Sequence, residues 1–342
     1  MNNILTGAAM GAALTTAGVY KPSVILSQFN FSDFTMLQTF LTAAAGSTFF
    51  VTAFQSLSLT SLPPRPCAPL SSSAKSFLSR HAGNILGGVM LGTGMAISGA
   101  CPGTVLAQLG AGVPSGRYAF GGAVLAGWAW NVLFSKRMPK ASKDKADGDG
   151  EGKKKQAETI YEMLNTPYIR AVAAMEVLLA TCIALAVKYA PAEAGYTRNV
   201  VPPLIGGACM ALSQFISLAL RRTTLGASTS FEELGSNLWA IVKGQWDQIK
   251  SWKNVLFMGG MVAGAKAVTA FIPAAAVSLV EGTAVSPLRG LLGGFLIVFG
   301  SRMAGGCTSG HGISGLSLLS VSSFLTVAMT FAAGGVVGLS MG

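Results

Sequence analysis

Two cysteines stand out because each closes the same pattern. Cys101 ends the segment LGGVMLGTGMAISGAC and Cys307 ends LGGFLIVFGSRMAGGC. A shift of 206 positions lays Leu86-Gly87-Gly88 on Leu292-Gly293-Gly294, Gly94 on Gly300, Gly99 on Gly305 and Cys101 on Cys307. From Ile85/Leu291 to Thr104/Gly310 this gives six identities in 20 pairs, more than glycine abundance explains. A thiol is a soft group that can donate an S–H contact and accept one in turn. The same residue, buried, is also commonly an inert small hydrophobe.

The elements that must position these thiols are helices that stop early. Gly87, Gly88, Gly94 and Gly99 allow close backbone approach and weaken the helix, and Gly99 permits a left-handed end. Pro102 suits the first position of a new short helix starting at Cys101. A broken helix exposes unpaired N–H groups and a partial positive charge at its new N-terminus. At membrane depth such backbone is tolerated only where protein buries it or a cavity is lined by it. Two such breaks related by pseudo-symmetry form an anion-friendly constriction.

Composition supplies the membrane. Of 342 residues 51% are apolar and 11% charged, with 43 glycines, and the mean hydropathy is +0.54. A soluble domain carries roughly 25% charged residues, so an ordinary cytosolic enzyme is excluded and a polytopic membrane protein is expected. The net charge of +11 lies mainly in loops, nine basic residues falling between Ser135 and Arg170. Loops facing lipid headgroups account for it, and no aromatic–basic interleaving points to nucleic acid. The five cysteines (Cys67, Cys101, Cys182, Cys209, Cys307) form no CxxC, metal spacing or disulfide framework. The Met-Asn-Asn start lacks a basic n-region, so no cleaved signal peptide is expected. No GxxxxGKS loop is present, and neither a cofactor nor a metal is expected.

Apolar spans are predicted at 4–20, 36–60, 82–100, 116–134, 169–188, 200–220, 255–280, 289–306 and 323–341. Short pieces at 104–113 and 311–321 cannot cross alone. The expected fold is all-α: about nine transmembrane helices plus half-helices, in two pseudo-symmetric halves, 1–135 and 166–342. Residues 136–165 join them as a charged linker expected to be disordered. The positive-inside rule makes this linker cytoplasmic, where it can also serve a partner. Pro63, Pro64 and Pro66 keep the Ser61–Ser76 loop from being helical. Leu234, Leu238, Ile241, Val242 and Trp246, near helical spacing, predict an amphipathic helix on the membrane surface, with a polar loop as the alternative.

The blocks ISGACPGTVLAQLGAG, GSRMAGGCTSGHGISGLS, TTLGASTSFEELG and GAALTTAGVYKPSVILSQFNF resemble the YeeE/YedE family of sulfur-transport membrane proteins. The resemblance covers nearly the whole chain outside 136–160 and implies a multi-pass importer of thiosulfate, placed in the plasma membrane. It carries the family's passage cysteines onto Cys101 and Cys307. Many relatives have a further cysteine where this chain reads Val19-Tyr20-Lys21-Pro22, so two relay members are assigned here, not three.

On that reading the thiols of Cys101 and Cys307 touch the terminal sulfur of thiosulfate. An arriving dianion disfavours a thiolate, so the neutral thiols are expected to do this. Gly99 and Pro102 shape the first break. Ser98, Thr104, Gln108, Thr308 and Ser309 either bind the substrate's oxygens or pack helices. Arg302, where the first repeat has Ala96, either attracts the anion or holds the broken helix through a carbonyl. His311 is a pore-mouth donor, a proton site or a structural group bound to a carbonyl. Lys266 is read as snorkelling, Glu176 as lying near headgroups, and His81 as a loop residue. Cys182 and Cys209 read as packing residues. The competing function is a membrane thiol–disulfide enzyme using Cys101 and Cys307 as its couple. A structural subunit acting through the linker explains neither broken helix.

Overall fold

A computed structural model describes residues 1–71, 76–134, 158–190, 201–249, 251–275 and 285–341. Residues 136–157 of the expected linker lie outside them. The first part of the chain folds into α1 (Asn2–Thr16), α2 (Pro22–Phe29), α3 (Thr35–Ser56), α4 (Phe77–Arg80), α5 (Ala82–Ser98), α6 (Pro102–Ala111) and α7 (Pro114–Ala129). Then come α8 (Ile160–Met163), α9 (Tyr168–Lys188), α10 (Pro203–Arg221), α11 (Ser228–Val242), α12 (Lys253–Phe271), α13 (Pro287–Met303) and α14 (Val321–Met341). Between α13 and α14 a π-helical turn runs over Ser309–Gly315. The described residues form no strand, only an isolated bridge between Thr159 and Ser320.

Six stretches are long and apolar enough to cross a membrane: α3, α5 with α6, α9, α10, α12 and α14. The other three expected spans form as shorter helices: α1 has 15 residues, α7 has 16 and α13 has 17. Large apolar side chains point outward, Phe271 at 86% and Val336 at 71% exposure among them. Water would not tolerate so many, and lipid does. The chain is an all-α, integral membrane protein.

Helix contacts come in matched pairs. α1 packs on α12 and α3 on α10; α5 packs on α14 and α7 on α13. Glycine sets these distances. At the centre α5 crosses α13: a Cβ on Gly87 would lie 2.5 Å from the Gly300 carbonyl, and one on Gly94 2.9 Å from the Gly293 carbonyl. Because Gly94 and Gly300 are repeat equivalents, as are Gly87 and Gly293, the crossing exchanges the two segments. Rising number on α5 meets falling number on α13, so the helices run antiparallel, as an inverted repeat requires. α9 packs on α3, burying Met175 and Leu179 near Ala44.

Two elements differ from expectation. α11 is helical, yet it packs into the protein rather than only lying on its surface. Phe231, Gly235 and Asn237 are buried, and Gly235 meets the backbone of Gly127 on α7. The piece after Cys307 winds as a π turn, not as a second α6.

Candidate functional site

The first break is built around Cys101. α5 ends at Ser98, and Gly99 takes the left-handed conformation at φ +59°. Cys101 then caps α6: its Sγ accepts the Thr104 N–H at 3.4 Å, while the Cys101 N–H donates to Thr104 Oγ1 at 2.6 Å. Pro102 takes the first helical position, where no N–H is needed. The backbone N–H of Gly103 also faces this sulfur.

Gln108 binds the break together. Its Nε2 donates to the Gly99 carbonyl at 2.8 Å and to the Tyr20 carbonyl at 2.9 Å, tying α6 to the loop before α2. The Val19–Pro22 loop is buried there, and a Cβ on Gly99 would sit 2.9 Å from that of Pro22. Ser98 bonds back to the Gly94 carbonyl at 2.7 Å. Thr104, Gln108 and Ser98 thus spend their polar atoms on the backbone, except Gln108 Oε1, which is buried without a partner.

The second break repeats this plan with different atoms. Gly305 takes φ +79° where Gly99 stands in the first. Cys307 Sγ lies 3.2 Å from Ser309 Oγ. The N–H of Gly310, three residues on as Thr104 is from Cys101, faces the sulfur, as do the N–H groups of Ala227 and Ser228 at the start of α11. Ser314, equivalent to Gln108, donates to the Leu225 carbonyl at 2.9 Å. Gln214 on α10 accepts the Leu225 N–H at 3.1 Å. Thr308 reaches across to α5, donating to Met95 Sδ at 3.4 Å. Cys101 and Cys307 are 2% and 1% exposed. Both are free thiols.

His311 is fixed on both sides: Nε2 lies 3.1 Å from the Ala304 carbonyl and Nδ1 2.8 Å from Ser323 Oγ. A carbonyl only accepts, so Nε2 carries the hydrogen and a neutral ring takes the Ser323 proton at Nδ1. Arg302 forms an ion pair with Glu232 of α11, which turns it away from a free anion. Away from the breaks, Lys266 is exposed on α12 and Glu176 is half-buried on α9. His81 is buried between α4 and α5, its Nδ1 2.9 Å from the Phe77 carbonyl. Among the described residues no three His, Cys, Asp or Glu side chains gather to hold a metal.

Sequence reasoning missed Arg65, Glu232 and Gln214. Arg65 was legible as the lone cation between Leu57 and Ala74, a stretch without an acidic residue, and it is flanked by Pro64 and Pro66.

Apolar helices turned outward, holding two interrupted helices against each other at the centre, define a multi-pass membrane protein of the broken-helix transport type. The model of the sulphur transport family matches residues 17–337, so the chain belongs to that family. The YeeE/YedE resemblance is thereby borne out. No curated protein matches the chain.

Proposed function

We propose that this protein imports thiosulfate across the plasma membrane through a narrow passage between the two breaks. Membership of a sulphur transport family supports the sulfur cargo. In this reading residues 1–135 and 166–342 act as the two halves, and the 136–165 linker takes no part in conduction. The observation that carries it is the placing of two free, buried thiols at equivalent breaks in a glycine-crossed pair of helices.

Each sulfur accepts N–H groups from its own first turn, which leaves the S–H to meet the soft terminal sulfur of the substrate. The dianion's charge is met by the N-terminal ends of α6 and α11. Sulfate offers oxygen only and gains less from a thiol. A neutral donor passes the anion on without a covalent step, which suits transport rather than turnover.

Uptake of radiolabelled thiosulfate into proteoliposomes tests this. The wild-type protein is expected to accumulate label, and Cys101→Ala and Cys307→Ala to lose most of it while keeping a monodisperse elution profile. Equal uptake by all three proteins would make the thiols packing residues. A wild type that takes up no thiosulfate under any ion gradient would remove the substrate assignment.

A further inference from the structure

Arg65 is a half-buried cation with no acidic partner among the described residues. Its backbone is anchored on both sides, the N–H donating to Ser320 Oγ at 2.8 Å and the carbonyl accepting from Ser322 Oγ at 2.8 Å. This folds the Pro-rich loop back against the start of α14. From there the guanidinium reaches the second break, where Nη2 donates to Thr224 Oγ1 at 3.2 Å. That is its one side-chain acceptor among the described residues, and none of their carboxylates pairs with it; the ion pair found among them is Arg302 with Glu232.

The space in front of it is kept clear by two glycines. A Cβ on Gly310 would have Arg65 Nη2 and Cys307 Sγ each 3.8 Å away, and a Cβ on Gly226 would have Arg65 Nη2 at 3.9 Å. The guanidinium and the thiol therefore border one small gap that any side chain at position 310 would occupy. Backbone N–H groups of Ala227, Ser228 and Gly310 gather at the sulfur on its edge. The guanidinium, the Cys307 S–H and these N–H groups are all donors, and a half-buried guanidinium with no acidic partner carries part of the cost of its desolvation. An anion in the gap removes that cost.

We infer that Arg65, with the Gly226–Ser228 loop and Cys307, forms a binding site for a small sulfur oxyanion, with Arg65 taking the oxygens and Cys307 the sulfur. The inference rests on the transport reading and deepens it, because it makes the two ends of the passage unequal. Guanidinium geometry matches two oxygens of one sulfonate group.

The test is equilibrium binding of ³⁵S-labelled thiosulfate, sulfite and sulfate to the purified full chain by scintillation proximity. Arg65→Gln, Arg65→Lys and Thr224→Val are compared with the wild type, each first checked for monodispersity. The expected result is thiosulfate affinity at least about tenfold weaker in Arg65→Gln, only partly restored in Arg65→Lys, which keeps the charge but not the two-oxygen fork, and intermediate in Thr224→Val, which keeps the charge but loses its orienting acceptor. Wild-type affinity in a folded Arg65→Gln overturns the inference and leaves the transport reading standing. Arg65-dependent binding of sulfite or sulfate with none of thiosulfate upholds the site and overturns the substrate. Binding of no anion by the wild type overturns both.

Discussion

Gln108 and Ser314 occupy equivalent places in the two breaks, and each donates to a carbonyl of the loop that leads into the short helix beside it, Tyr20 before α2 and Leu225 before α11. One long amide does in the first break what a hydroxyl does in the second, where Gln214 supplies the remaining acceptor for the loop.

Gln108→Ala should therefore cost more than Ser314→Ala. It removes hydrogen bonds to two buried carbonyls, those of Tyr20 and Gly99, each worth about 0.5–1.5 kcal/mol, whereas Ser314→Ala removes one to the Leu225 carbonyl. Thermal unfolding followed by size-exclusion fluorescence should show the larger fall in midpoint for Gln108→Ala. Equal midpoints would mean that water replaces the amide.

Cys101→Ser separates capping from sulfur chemistry. Serine is among the best N-caps, so the Thr104 N–H keeps an acceptor and the melting temperature should hold or rise. Thiosulfate uptake should nevertheless fall by about tenfold or more, since a hydroxyl offers a hard donor in place of a soft one. Full uptake by this variant would assign Cys101 to the cap alone.

The α5–α13 crossing predicts a contrast between glycines. A methyl at Gly300 would lie 2.7 Å from the Gly87 carbonyl, whereas one at Gly121 would find its nearest neighbour, Leu291 Cδ1, at 3.7 Å. Gly300→Ala should destabilise the protein by about 1–3 kcal/mol, the usual overpacking range, and Gly121→Ala should be neutral or slightly stabilising through helix propensity. Chemical denaturation in detergent would rank them, and comparable losses would contradict the close crossing.

The Arg302–Glu232 pair is open to a double-mutant cycle. Arg302 is 15% exposed and Glu232 33%, so the pair lies between the surface and buried regimes, and losing Arg302 alone should cost roughly 1–3 kcal/mol. Combining Arg302→Met with Glu232→Gln should return part of that loss, with uptake preserved. Additive losses would show that the two side chains do not support each other.

How much of this was legible in the sequence depends on distance along the chain. The breaks are local events: Gly99, Cys101 and Pro102 lie within four residues and announce a left-handed stop, a cap and a first turn. The cysteine repeat could be read for the same reason. The partners of Arg302 and Gln108 could not, because Glu232 and Tyr20 reach them through packing that periodicity does not encode. α11 shows the limit well. Its apolar spacing predicts a helix, but only the match of Gly235 to Gly127 tells that the helix is drawn inward. Arg65 carries a signal as the lone cation of its stretch, but its place does not show in the sequence, since a proline-rich loop reads as exposed until Ser320 and Ser322 are seen to pull it in.

The unequal winding behind the two cysteines has a mechanical consequence. α6 is a regular helix of 10 residues closed by a reciprocal cap, while its counterpart after Cys307 is a π turn of 7 residues with no side-chain cap. A π turn holds its backbone less firmly and can tighten by passing its extra residue along the chain. The Cys101 side is therefore expected to be the stiffer of the two and the Cys307 side the more yielding. Hydrogen exchange should be faster over 309–315 than over 102–111, giving the passage a stiff end and a compliant one.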